Sequence, residues 1–189
     1  MPLQYWQGKS GALRPIRPDD AAFFRNLDDE YYRNVDAEVP FPLSDARLSS
    51  WLEQQQKARF DDAIRLMADN KDGETVGTIH TYQCHRRNGT FKYGVAVAPE
   101  HRGRKYASEM IIMILRYYFL QLGYQKATPH VYAFNEASVR LHEKLGFLQE
   151  GRLRNMVYMD GKYHDEIHFG MTRDEFVMKY KDGSGFMAE

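Results

Sequence analysis

Residues 97–107 read Val-Ala-Pro-Glu-His-Arg-Gly-Arg-Lys-Tyr-Ala, and across them the pattern changes from strand to helix. Upstream, residues 95–98 form an apolar β-type run that ends at Pro99, where a missing N–H stops a ladder. Downstream, Ala107, Met110, Ile111, Ile114 and Tyr118 recur at helical spacing, and Gly123 supplies a stop. Between them lies a basic turn, Arg102-Gly103-Arg104-Lys105. A strand feeding such a turn into a helix start directs orphan backbone N–H groups and the positive end of the helix dipole at one point. That is a cradle for a phosphate-like anion. A solvated basic loop is the alternative reading.

Working outward, residues 13–17 make a short first strand that stops at Pro18. Asp19 or Asp20 caps a helix carrying Phe23, Phe24 and Leu27, and residues 28–43 read as an acidic, aromatic loop broken by Pro40 and Pro42. Ser44 or Asp45 caps a second helix through Leu48, Trp51 and Leu52. Residues 64–68, 76–82 and 91–98 read as three strands joined by turns at Lys71-Asp72-Gly73 and Arg87-Asn88-Gly89. After the helix that follows the basic turn come a strand at 127–134 and a helix capped by Asn135 and closed by Gly146. Two last strands, 148–159 and 163–171, meet at Asp160-Gly161. The order predicts an α+β domain: one mixed, mostly antiparallel sheet of six to seven strands with helices on both faces. The strand–helix–strand step over 91–134 predicts a right-handed crossover with parallel strands.

The chain has 189 residues, enough for one domain burying roughly 70% of its unfolded surface, so residues 1–180 read as a single domain and 181–189 as a frayed tail. Lysine plus arginine equals aspartate plus glutamate at 26 each, which supplies no global field for nucleic acid or an anionic membrane. The single cysteine, Cys84, excludes an internal disulfide and a cysteine-rich metal site. No apolar run approaches the ~18 residues of a membrane span, and no secretory leader is readable, so a cytoplasmic setting is expected.

The element order, the basic turn and the segment Asn135-Glu-Ala-Ser-Val-Arg-Leu-His-Glu-Lys-Leu-Gly-Phe147 together resemble the GCN5-related N-acetyltransferases (GNAT) over residues 11–173. Glu150-Gly-Arg-Leu-Arg154 and Asp160-Gly-Lys-Tyr163 are similar to the branch of ribosomal-protein N-terminal and spermidine acetyltransferases. The family's diphosphate motif is Gln/Arg-x-x-Gly-x-Gly/Ala. Arg102 and Ala107 match it, while Lys105 stands where its first glycine belongs. Glycine there lets backbone approach the diphosphate closely; lysine adds a Cβ and a long stem, which ordinary helical dihedrals would point away.

The resemblance implies acetyl-CoA as co-substrate and no metal. Its diphosphate would lie on Arg102 and the backbone of Gly103, Arg104, Lys105, Tyr106 and Ala107. Its pantetheine arm would pair with the strand edge at Val95, Val97 and Ala98. Asn135, Ser138 and His142 fall at i, i+3 and i+7, on one helix face. Spacing alone allows a helix cap, a first-turn residue and a surface histidine. The resemblance gives the first two to the pantetheine arm, and gives the third position, commonly tyrosine, to the acid that protonates the departing thiolate; here it is His142. The family's basic glutamate aligns with Lys92, which leaves Tyr93, His80, a water chain or an already neutral amine to account for the proton. His80, His85 and His130 lie on separate strands without ligand spacing and read as scattered.

Direct transfer is expected: an amine attacks the thioester and a backbone N–H near 95–97 steadies the oxyanion. Nothing activates Cys84 as a nucleophile. The acceptor is a small-molecule or peptide amine. Asp36 and Glu38, with Asp28, Asp29, Glu30, Tyr31, Tyr32, Phe41 and the more distant Tyr93, suit a cation, and polyamines, protein N-termini, aminoglycosides and amino acids stay open. A non-catalytic acyl-CoA-binding regulatory domain is the competing class, and the aromatic C-terminal strands offer an edge for a homodimer.

Overall fold

The computed structural model describes residues 4–56 and 62–180, so the tail read at 181–189 lies outside the described residues. Its elements run β1 (Gly11–Pro15), α1 (Ala21–Arg25), α2 (Asp29–Asp36), α3 (Asp45–Gln56), β2 (Arg65–Asn70), β3 (Thr75–His85), β4 (Thr90–Val97), α4 (Tyr106–Leu120), β5 (Lys126–Ala127), β6 (His130–Tyr132), α5 (Glu136–Leu145), β7 (Leu148–Met159), β8 (Lys162–Thr172) and α6 (Arg173–Lys179). They form an eight-stranded sheet in the order β1-β2-β3-β4-β5-β8-β6, with β7 paired to β8. The pairings are antiparallel except β4 with β5, which are parallel over Thr90–Lys126 and Phe91–Ala127.

Consecutive residues of β2 divide the core. Met67 packs with Ile16, Phe24, Leu48 and Leu52, whereas Ala68 packs with Ile111, Ile114, Tyr118 and Phe119 of α4. Neighbouring strand residues point to opposite faces, so α1 and α3 cover one side of the sheet and α4 the other. Leu145 of α5 and Phe176 of α6 complete the α4 side. The apolar stripe read from the sequence is the one that α4 buries.

Three elements differ from the sequence reading. Residues 28–43 are not all loop: Asp28 accepts the Tyr31 N–H at 2.8 Å and starts α2, which ends at left-handed Ala37 (φ 52°). Its eight residues are mostly polar but set Tyr31, Tyr32 and Val35 on one face, and that face together with Asp28 at the N-cap is the helix signal. The strand expected at 127–134 is two short strands broken at Pro129, and only β5 pairs with β4; β6 pairs with β8 instead. The helix α6 follows a reciprocal cap in which Thr172 Oγ1 accepts from Glu175 N and Glu175 Oε2 accepts from Thr172 N at 2.7 Å.

A charged cluster fixes the first helices to the sheet. Arg14 of β1 donates through Nε to Asp69 at 2.5 Å, through its terminal nitrogens to Asp20 at 2.8 and 2.9 Å, and to Thr75 Oγ1 at 2.9 Å. Asp20 is buried and also accepts the Arg17 N–H at 2.6 Å. The Asp20 hydrogen bonds, ahead of those to Asp69, raise the Arg14 pKa and hold the guanidinium charged. Asp20→Ala strands that guanidinium. Arg14 keeps 14% side-chain exposure, so the expected loss is about 2–3 kcal/mol, below that of a wholly buried pair. Thermal unfolding should show it as a fall in Tm of roughly 5–10 °C.

Candidate functional site

Period-2 geometry fixes which way β4 presents its backbone. Phe91 accepts the Thr128 N–H at 2.8 Å, so its carbonyl points toward β5. Tyr93, Val95 and Val97 share that direction. Beyond Phe91, however, β5 has ended and β6 has moved across to β8. The N–H and C=O groups of these three residues therefore face a gap. Ala98 does not: its N–H goes to Val76 O at 2.9 Å, on the β3 side, so the expected edge comprises Val95 and Val97 without Ala98.

The gap is a cleft of about 240 Å³, lined on one side by Tyr93–Val97 and on the other by Val131, Tyr132, Asn135, Ser138, Leu141 and His142. Ala107, at the start of α4, closes its outer end with Arg102 and Glu30. Gly103, Arg104 and Lys105 are exposed on the turn outside the walls, and Tyr106 is half-buried. No side chain caps α4, which leaves its first N–H groups to an external acceptor. Lys105, the N-cap, sits at φ 68° and ψ 5°, in the left-handed region. Helical dihedrals would point the stem away, and Lys105 does not adopt them. The backbone keeps the conformation that a glycine would supply, and lysine carries it at a cost of about 1–2 kcal/mol.

Arg102 is engaged elsewhere. Its Nη1 lies 2.9 Å from Glu30 Oε2, its Nη2 3.6 Å from Asp28 Oδ1, and its Nε donates to Val97 O at 3.4 Å. It ties α2 to the edge of β4 across the mouth of the cleft. Asn135 makes a second tie: its Oδ1 accepts from Ser138 N at 3.1 Å and its Nδ2 donates to Asn34 O at 3.3 Å.

His142 is buried, with its ring stacked between Tyr93 at 5.9 Å and Phe169 at 5.3 Å. Its Nδ1–H donates to Ser138 O at 2.8 Å. Burial pushes its pKa down to about 4 against the small opposing effect of that hydrogen bond. A neutral imidazole with its proton on Nδ1 carries a lone pair on Nε2, which has no partner among the described residues. At neutral pH His142 is thus an acceptor and not the imidazolium that the expected acid role requires. Tyr93 is its counterpart. Its hydroxyl is buried without a partner among the described residues, and burial holds its pKa well above 10, which removes Tyr93 as a base and leaves a phenol donor.

On the far side of β4 a larger cavity of about 480 Å³ has aromatic walls from Phe24, Tyr31, Tyr32 and Trp51. Asp36 and Glu38 line it together, and so do Arg47 and Arg65. Burial raises the Asp36 pKa, opposed by the Arg65 charge. A passage lined by Asp36, His80, Tyr82, Gly94, His130 and Tyr132 shares walls with both spaces. Gly94 is needed here, because a Cβ would stand 2.5 Å from His80 Cε1. The geometry brings Tyr93, Val95, Val97, Arg102, Ala107, Asn135, Ser138 and His142 to one cleft and places Asp36 and Glu38 in the adjoining cavity. Tyr82 and Asn34 carry no signal in the sequence reading, His130 reads there as a scattered histidine, and Glu30, read as part of the cation-facing loop, is instead tied to Arg102. The histidines read as scattered because they are distant in the chain. Among the described residues no group of three or more His, Cys, Asp or Glu side chains is arranged to hold a metal ion, and no helix is long and apolar enough to cross a membrane.

A family model described as an acetyltransferase (GNAT) domain matches residues 12–148. The chain is 46% identical over 180 residues to the SPbeta prophage-derived uncharacterized N-acetyltransferase YokL of Bacillus subtilis, covering 95% of this chain and 99% of the relative. It is 27% identical over 170 residues to the spermidine N(1)-acetyltransferase of Vibrio cholerae, covering 87% and 94%. Among solved structures, the spermidine N-acetyltransferase from Vibrio cholerae in complex with CoA and spermine superposes with a TM-score of 0.79 at 22% identity, over 89% of this chain and 98% of that one. At that identity the likeness is one of fold.

Two outcomes follow from the turn and the buried ring. Lys105→Gly should match or exceed the parent stability by about 0.5 kcal/mol, because relief of the left-handed strain outweighs the entropy of glycine, whereas Lys105→Val should lower Tm. For His142 the folded pKa, about 4, lies below the ordinary 6.5. The unfolded chain therefore binds the extra proton between those values. The contribution is complete above pH 6.5 and is lost as pH falls toward 4, about 3 kcal/mol in all. Urea unfolding from pH 7 to 4.5 should show that slope, and His142→Phe, which keeps the ring stack, should flatten it.

Proposed function

The chain belongs to the GNAT N-acetyltransferase family and is an acetyl-CoA-dependent N-acetyltransferase, and from that premise we propose that it acetylates a primary amine by direct attack through a tetrahedral intermediate. The observation that carries this reading is the unpaired edge of β4 beside the uncapped start of α4. Val95 N–H and C=O and the Val97 N–H offer alternating donors and acceptors to an extended amide chain, as an added strand would use them, while the Val97 carbonyl takes Arg102 Nε at 3.4 Å. The N–H groups at the start of α4 and the open, positive-φ Gly103 suit a diphosphate. The residues present fit acetyl-CoA, whose thioester supplies the activated acetyl group.

Within that frame the side chains divide the work. A backbone N–H on the gap side of β4 stabilises the oxyanion as it forms. The Tyr93 hydroxyl, kept protonated by burial, donates a hydrogen bond as negative charge gathers on sulfur. The nitrogen of the tetrahedral intermediate becomes acidic once the C–N bond exists, and it supplies the proton that the thiolate takes. His142 Nε2 serves as an acceptor in the wall and positions what lies beside it.

The acceptor enters through the aromatic cavity, and Asp36 holds its ammonium at the passage. The spermidine acetyltransferase relatives support a polyamine. Arg47 and Arg65 on the same wall support an acceptor that also carries an anion, as the N-terminus of a protein does. The edge strand β7 keeps Leu153, Met156 and Tyr158 exposed, which supports self-association as a homodimer along this edge.

Acetyl-CoA at about 100 times its Kd should stabilise the chain by about 2.7 kcal/mol, read as a rise in Tm of roughly 5–10 °C. A panel of spermidine, spermine and short peptides with free N-termini should then give turnover with at least one amine. On that amine Asp36→Asn should raise KM about tenfold and leave the acetyl-CoA shift unchanged. Stabilisation without turnover on any amine would favour a regulatory acyl-CoA-binding domain, and no stabilisation would remove the cofactor site.

A further inference from the structure

Five side chains contributed by three strands meet where the passage joins the cleft. His130 and Tyr132 of β6 stand opposite His168 and Glu166 of β8 in register, so all four share one face of the sheet. From β3, the Tyr82 hydroxyl lies 3.4 Å from His130 Nδ1. On the other side of the ring, Nε2 lies 3.9 Å from Glu166 Oε2. The second Glu166 oxygen lies 2.6 Å from His168 Nε2. Tyr82 is itself held by stacking on His80 at 5.6 Å. Both Tyr82 and His130 line the cleft and the passage, while His168 is 29% exposed and leads outward.

We propose that Tyr82 and His130 form the relay that removes the proton from the acceptor ammonium, with Glu166 as the residue that positions and supports His130. This rests on the direct-attack reading above. Glu166 Oε2, 3.9 Å from Nε2, presents negative charge to that side of the ring without a hydrogen bond, and the relay uses the tautomer with hydrogen on Nε2, whose Nδ1 lone pair meets the Tyr82 O–H. Tyr82 is no base on its own, since burial raises its pKa and keeps it a phenol. It is a conduit.

Atoms and charges balance through the cycle. The ammonium gives one proton to Tyr82 Oη as Tyr82 gives its own to His130 Nδ1, and the imidazolium so formed faces the Glu166 carboxylate. The neutral amine then forms its bond to the thioester carbon. The C–S bond breaks with its electron pair on sulfur, and one proton from nitrogen converts the thiolate to thiol. His130 returns its proton to solvent before the next turnover.

The surroundings of His130 tune it for this task. Burial is the largest influence and lowers its pKa, Lys92 of β4 and His168 of β8 act in the same direction, and Glu166 opposes them. Tyr82, Tyr132, His80 and the passage carboxylate of Asp36 complete its titratable neighbours. The outcome is a ring that is neutral at pH 7 and ready to accept. It takes over the work that the family's glutamate would do at the position of Lys92.

The test is the pH profile of kcat/KM for the amine in the wild-type chain and in His130→Gln, Tyr82→Phe and Glu166→Gln, with the acetyl-CoA thermal shift as the control for folding. Wild-type kcat/KM should level off above pH 7. His130→Gln should lose about 100-fold at pH 7 and then climb about tenfold per pH unit toward pH 9, as more amine arrives neutral. Glu166→Gln should move the acidic limb to lower pH, a displacement that a merely structural role would not produce. Wild-type rates and an unshifted profile in His130→Gln and Glu166→Gln would overturn the relay while leaving direct attack intact. Absence of amine turnover in the wild-type chain would remove the premise and the relay with it.

Discussion

After Phe91 the fourth strand loses its neighbour on one side, and the peptide groups of Tyr93, Val95 and Val97 are left pointing into a gap. Val95 and Val97 are only partly buried and line the open cleft, so their peptide groups are accessible to an extended chain that would pair there. Pro129 lies between the two short strands, where a continuous partner for β4 would otherwise run. The parallel crossover supports two pairs of residues and then stops, and β6 is captured by β8. The rest of the site is arranged around that opening: α4 starts at one end of it, α5 lies along its far wall, and the passage to the aromatic cavity opens beneath Tyr82 and Gly94.

The same opening explains the chemistry of the buried side chains. His142 sits between two aromatic rings with its Nδ1–H spent on the backbone of its own helix, so the low-polarity wall keeps it neutral. Tyr93 beside it stays a phenol for the same reason. Burial therefore converts two residues that look like an acid and a base into a lone-pair acceptor and a hydroxyl donor. His130 and Tyr82, which look unremarkable in the chain, are brought by strand pairing to a wall that the cleft and the passage share. Position in the sheet, more than residue type, decides the roles.

Much of this was legible from the residues. The basic turn, the stripe of α4, the Asn135 cap, the Gly146 stop and the Asp160-Gly161 hairpin are local signals, and each stands where its spacing puts it. The readings that changed depend on contacts between distant segments. Helix α2 reads as loop because its stabilising contacts, Arg102 with Glu30 and Asn135 with Asn34, join residues tens of positions apart. The break at Pro129 needed the knowledge that β8 competes for β6. Lys105 is the instructive case: its residue type argued against a glycine-like turn, yet the turn geometry imposed φ 68° on it. A histidine read as a surface residue or an acid could not be assigned from spacing, because its protonation state follows from burial.

The central claim is that the gap side of β4 is the receptor for an extended acyl-carrier arm. Residue-resolved amide hydrogen exchange, with and without CoA, measures this directly. The account predicts that the Val95 and Val97 amides, which face the gap, are slowed by CoA, that the 3′,5′-ADP fragment without the pantetheine arm does not slow them, and that the Ala98 amide, already donated to Val76, changes little. Equal exchange at Val95 and Val97 in the presence and absence of saturating CoA would contradict it.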